Sequence, residues 1–101
     1  MADDIITTAV EAWERLSSED EVRVKFKKKD GTIRYMKCTL NFDKIPKSKV
    51  PKSVNVARIV KTMSMKKIIH VFDLEKNDWR SLPLDRAEWL DTGEKRYKIK
   101  L

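Results

Sequence analysis

The residues of this chain with the clearest chemical potential are cations set beside rings. Lys25-Phe26-Lys27-Lys28-Lys29, Arg34-Tyr35, Trp79-Arg80 and Arg96-Tyr97-Lys98 each place an ammonium or guanidinium group next to an aromatic side chain. That pairing suits a single-stranded polyanion: the cations neutralise its phosphates, and its unpaired bases stack on the rings. Lys47, Lys49 and Lys52 add charge within a stretch, 41–67, whose only acid is Asp43. The candidate phosphate contacts are therefore Lys25, Lys27, Lys28, Lys29, Arg34, Lys47, Lys49, Lys52 and Arg80. The competing reading of these pairs is structural, with Phe26 and Tyr97 in the core, their lysine neighbours on a solvated face, and Trp79 half-buried in a hairpin.

Other chemistry is poorly supported. His70, the single histidine, lies in the apolar run Ile68-Ile69-His70-Val71-Phe72 and reads as a core histidine with a satisfied ring. Cys38, the single cysteine, reads as a buried small hydrophobe. A metal site needs several converging donors, and Cys38 with His70 falls short. Asp73, Glu75 and Asp78 cluster at a turn and read as solvating acids rather than a general acid and base. The two glycines, Gly31 and Gly93, build no phosphate loop. No catalytic residue, cofactor or metal is expected, and the chain does not read as an enzyme.

Charge is divided by position. Residues 1–21 hold seven acids against Arg15, whereas residues 22–101 hold 22 bases against nine acids, giving a net charge of +7. A basic body with an acidic leader implies a polyanionic partner, either nucleic acid or an acidic protein surface. No recognition helix of the helix-turn-helix kind is evident, so RNA or single-stranded DNA is favoured over duplex reading. The first 20 residues lack a secretory pattern, and no stretch approaches the ~20 apolar residues of a membrane span. The expectation is a chain neither secreted nor embedded in a membrane.

The elements that must position these groups follow from periodicity. At 101 residues, 41% hydrophobic and 39% charged, the chain reads as one folded domain with a small core. Ile5, Ile6, Ala9, Val10, Trp13 and Leu16 form one apolar stripe, predicting a helix over 3–17 with Asp3 and Asp4 at its start. That stripe should cover a sheet, another chain being the alternative. Val22, Val24 and Phe26 alternate with Arg23, Lys25 and Lys27, and Lys29-Asp30-Gly31 turns the chain into a second strand over 32–40. Alternation breaks at Tyr35 and Met36, which predicts a β-bulge there.

Pro46 and Pro51 make 41–56 a long basic loop, followed by a strand at 57–65. The run 68–72, apolar on both sides, predicts a strand covered twice. Trp79 to Leu84 predicts another, at an edge or ending at Pro83, with Leu82 and Leu84 inward. A helical turn over 85–90 and a last strand through Tyr97, Ile99 and Leu101 complete the chain. The sum is a helix over 1–20 followed by a small twisted barrel over 21–101.

One stretch resembles a known family. Phe72-Asp73, then Asn77-Asp78-Trp79-Arg80-Ser81-Leu82-Pro83-Leu84-Asp85-Arg86, resembles the end of the ligand-binding domain of WYL proteins. Asp30-Gly31 with Arg34-Tyr35 stands where that domain has its opening hairpin. From Val22 to Leu90 the chain resembles small phage-encoded Sm-like barrels grouped beside that family. The resemblance implies an α+β fold, mainly β, with an N-terminal helix and a five-stranded Sm-like barrel. It also implies that Arg80 lines a groove for nucleic acid or nucleotide-like ligands and that Arg86 supplies a second basic position. Lys67-Ile68-Ile69 stands where Trp-Tyr-Leu would be, and Pro83 replaces an arginine of the pattern.

The expected function is a non-catalytic phage accessory protein that binds RNA or single-stranded DNA in the cytoplasm of an infected bacterium. The alternatives are a modulator that grips an acidic host protein through the same surface or through the Trp13 and Trp89 regions as anchors, and a small-ligand binder. Such a barrel could also form a homo-oligomer.

Overall fold

The computed structural model describes residues 4–53 and 55–101. Seven strands form one sheet: β1 (Ile5–Ile6), β2 (Val22–Lys27), β3 (Ile33–Thr39), β4 (Ile68–Asp73), β5 (Asp78–Pro83), β6 (Ala87–Asp91) and β7 (Arg96–Ile99), joined by helices α1 (Ala9–Ser18) and α2 (Val56–Lys66). Their spatial order is β1-β7-β6-β2-β3-β4-β5. Residues from both ends of that order share one core with the helices: Ile6, Ile99 and Leu90 at one end, Val24 and Met36 in the middle, Val71 and Leu82 at the other. A sheet whose two ends meet in a single core is curled.

The N-terminal helix is shorter than its apolar stripe predicts. Ile5 and Ile6 leave it and pair in parallel with β7, Ile5 opposite Lys98 and Ile6 opposite Ile99. Thr8 sets the start instead, its Oγ1 accepting the Glu11 N–H at 3.2 Å. Asp4 caps nothing; its carboxylate lies 3.6 Å from the Lys95 ammonium. Asp3, also expected at the helix start, falls outside the described residues. Ala9, Ala12 and Leu16 then bury the helix against the inner side of the sheet.

The first hairpin forms as predicted, but without its bulge. β2 and β3 pair without interruption from Val22–Cys38 to Lys27–Ile33. Arg34, Met36 and Cys38 point inward, and the apparent break arises because two apolar residues, Ile33 and Tyr35, are spent on the solvent side. The bulge lies instead in the β2–β6 pair, where Lys25 faces Trp89 and Phe26 faces Ala87, leaving Glu88 as the extra residue.

Three further expectations change. The strand expected at 57–65 is part of α2: Ile59, Val60 and Met63 recur at helical spacing and pack on the core. Asn55 Oδ1 accepts the Arg58 N–H at 3.0 Å, and Lys67, left-handed at φ 56°, closes the helix by donating to the Met63 carbonyl. The loop before it contains two single 3-10 turns, Phe42–Lys44 and Lys47–Lys49. The helical turn expected over 85–90 is confined to Leu84–Arg86, and the residues after it form β6 in the middle of the sheet. β5 does lie at an edge and ends at Pro83, with Leu82 and Leu84 buried.

His70 is exposed, not buried. β4 pairs with β5 along its length but with β3 only through Phe72 and Asp73, so the outer side of its first half stays open. The His70 ring meets solvent, with Nδ1 3.3 Å from the Ser81 hydroxyl.

Candidate functional site

The strict alternation of β2 and β7 sends their apolar residues inward and their bases outward. Because β6 lies between them, the two basic rows fall on one continuous outer face. Tyr35, Lys25, Trp89 and Lys98 stand opposite one another on four neighbouring strands, and Lys37, Arg23, Asp91 and Arg96 form the next row. Adjacent strands are about 4.8 Å apart, so one row spans roughly 15 Å. α1 and α2 pack on the inner side, and among the described residues neither helix covers this face.

Two rings and two cations make the centre of the face. Tyr35 is 65% exposed, and its ring centroid lies 6.2 Å from that of Trp89 at an interplanar angle of 49°. The Arg96 guanidinium lies 4.0 Å over the indole ring, and the Lys25 ammonium is 5.9 Å from the Tyr35 centroid. The bulge adds an acid. Glu88 and Trp89 are consecutive yet both lie toward solvent, and Glu88 Oε2 meets Lys25 Nζ at 2.8 Å. The hydrogen bond to Glu88 raises the Lys25 pKa above its ordinary value. Arg96 is held by Asp91 at 3.2 Å and Lys37 by Glu21 at 3.1 Å. Among the described residues, no carboxylate comes within 4.0 Å of the charged groups of Arg23, Lys27, Lys28 or Lys29, although the charge of Lys28 acts on Asp30.

The candidate residues divide into three groups. Lys25 and Lys27 belong to this face, and Lys28 and Lys29 extend it into the turn. There Asp30 Oδ1 accepts from the Thr32 hydroxyl at 2.6 Å and its N–H at 3.0 Å, bonds that lower the Asp30 pKa.

Lys47, Lys49 and Lys52 lie elsewhere, in the loop that rests on the β4–β5 hairpin. Trp79 pins it: the indole Nε1 donates to the Lys49 carbonyl at 2.9 Å, and the ring packs edge-on against Phe72 at 5.6 Å. Arg80 shares that end and is bonded to its neighbours, the Trp79 carbonyl at 2.9 Å and Asp78 at 3.5 Å.

Arg34 and Arg86 have structural partners. Arg34 turns inward to the buried Asp73 carboxylate at 3.2 Å, whose other oxygen accepts the Glu75 and Lys76 N–H groups. Arg86 donates Nε to the Lys27 carbonyl at 2.9 Å.

Sequence reasoning missed Glu88, and it singled out Trp89 only as an anchor for a protein partner, not as part of the basic face. The available signal was Asp91-Thr92-Gly93 before the alternating Arg96 to Ile99 segment, which marks a hairpin and hence a strand ending at Asp91. In the structure Gly93, at φ 94°, makes that turn, its N–H donating to Asp91 Oδ1 at 2.8 Å. Among the described residues no group of three or more His, Cys, Asp and Glu could hold a metal ion, and no helix is long and apolar enough to cross a membrane.

The family model for WYL_2, described as an Sm-like SH3 β-barrel fold, matches residues 11–87. The chain belongs to the WYL_2 family. No curated protein and no solved structure matches it. In this WYL_2 protein the matched segment supplies β2, β3 and the hairpin carrying Arg80, whereas Glu88, Trp89, Arg96 and Lys98 lie beyond it. The aromatic and basic face is thus assembled partly from strands outside the segment that identifies the family.

Proposed function

We propose that this WYL_2 protein is a non-catalytic binder of single-stranded RNA or DNA, using the outer face of β3, β2, β6 and β7. The observation that carries the reading is the exposed Tyr35 ring beside the half-buried Trp89, set among outward-facing cations on an otherwise charged sheet face. Rings on a solvent face contribute nothing to a core, whereas they offer unpaired bases a stacking surface at about 1–3 kcal/mol per base. Lys27, Lys28, Lys29 and Arg23 supply phosphate contacts along its rim. Duplex nucleic acid fits less well, because its bases are already stacked and the face carries no helix to enter a groove.

A role as a phage accessory protein inside an infected bacterium is supported only by the likeness to phage-encoded barrels. The test is fluorescence anisotropy of short labelled oligonucleotides at low salt. Single strands should bind in preference to duplexes, and Tyr35→Ala should weaken binding by about 1–3 kcal/mol while leaving the fold intact. Undetectable binding of every single strand would end the proposal. Capture of a host protein that survives nuclease treatment would then support the acidic-protein partner.

A further inference from the structure

Besides Asp91, which holds Arg96, the face carries Glu88, an acid out of place for a surface that only neutralises phosphate. Glu88 is present there because of the β6 bulge; without the extra residue, the position after Ala87 would not share the solvent side with Trp89. Its side chain is 51% exposed, and its Oε2 lies 2.8 Å from the Lys25 ammonium. Lys25 Nζ also lies 5.9 Å from the Tyr35 centroid, so the carboxylate stands less than about 9 Å from that ring. An ionised carboxylate accepts hydrogen bonds and donates none.

The rings set where a base can lie. Tyr35 and Trp89 are too close and too tilted for a base to enter between them, and Arg96 covers the indole from another direction. The free surface is that of Tyr35. A base stacked on it with its Watson–Crick edge turned toward β2 and β6 would meet Glu88. Guanine offers N1–H and N2–H as a parallel pair of donors that matches a carboxylate. Adenine and cytosine offer one amine beside a ring nitrogen that repels it, and uracil and thymine offer one N–H between two carbonyls.

We infer that Glu88 makes this face selective for guanine in single strands, with the base stacked on Tyr35 and its N1–H and N2–H bonded to the carboxylate. The inference rests on the single-strand reading above and adds the identity of the preferred base. A bidentate contact of this kind discriminates by about 1–3 kcal/mol, or roughly 5- to 150-fold.

The test uses oligouridine heptamers with guanosine, inosine, adenosine, cytidine or uridine at the central position. Guanosine should bind about tenfold or more tighter than uridine. Inosine, lacking the N2 amine, should fall between them. Glu88→Gln should reduce the guanosine preference to under about threefold while retaining or strengthening affinity for the all-uridine strand, because a negative charge has been removed from the face. Equal binding of all five strands by the unaltered protein overturns the selectivity and leaves single-strand binding standing. A guanosine preference that survives Glu88→Gln overturns the role of Glu88. Failure to bind any strand overturns both readings.

Discussion

Two buried groups show how charge is handled residue by residue. Asp73 is fully buried among apolar strands, and its carboxylate is kept there by Arg34 on one oxygen and two turn N–H groups on the other. Arg34 is therefore required by the fold, since a buried carboxylate without a partner costs several kcal/mol. Cys38 has the opposite solution: burial holds its thiol neutral and pushes its pKa from 9.0 up to about 12. In the unfolded chain the thiol ionises near the ordinary value, so above pH 9 unfolding releases a proton that the folded state retains. Stability should therefore fall as pH rises from about 9 toward about 12. Cys38→Ala should flatten that limb relative to the unaltered protein, as read from urea midpoints across the range. An unchanged slope would assign the alkaline loss to other groups.

At the scale of elements, the parts legible in the sequence were those in which one periodicity acted alone. The Pro83 edge and the final alternating strand each have a single pattern and formed where expected, and the β2–β3 hairpin formed in place but without the bulge expected at Tyr35 and Met36. Failures occurred where local and tertiary preferences disagree. Val, Ile and Val in 56–60 favour strands individually, yet Ile59, Val60 and Met63 gain more by packing as one helical face, so α2 forms. β6 was obscured because its bulge breaks alternation at the residues that matter, Glu88 and Trp89. The site was correspondingly half legible: Lys25 to Lys29 and Tyr35 stood out in the sequence, whereas the placing of Trp89 and Glu88 beside them depended on a bulge in β6 that the Asp91-Thr92-Gly93 turn does not reveal.

The basic loop also has an element-scale device, the Trp79 indole bonded to the Lys49 carbonyl. Trp79→Phe keeps the edge contact with Phe72 but removes that donor. Amide hydrogen exchange in 47–53 should then accelerate, while β4 and β2 stay protected. Unchanged exchange would show that the indole bond does not hold the loop.

For the whole molecule, separation of charge along the chain becomes separation across the sheet. The helix bearing Glu11 and Glu14 packs on the inner side, and the bases of β2 and β7 face the outer side. Among the described residues, the leader is ion-paired with the basic body through Asp4–Lys95, Asp20–Lys44 and Glu21–Lys37. Exposed pairs of this kind contribute about 0–1 kcal/mol each and are screened by salt. The single-strand binding proposed for the outer face predicts a different salt dependence. If Arg23, Lys27, Lys28 and Lys29 neutralise four phosphates, the affinity for a single strand falls with a logarithmic slope near −2.8, or roughly 50-fold between about 50 and 200 mM salt. The thermal midpoint over the same range should move by less than about 5 °C. Measuring both separates the two uses of charge. A large fall in the midpoint alongside weak salt dependence of binding would mean that the cations serve the fold, and that the outer face does not engage phosphate.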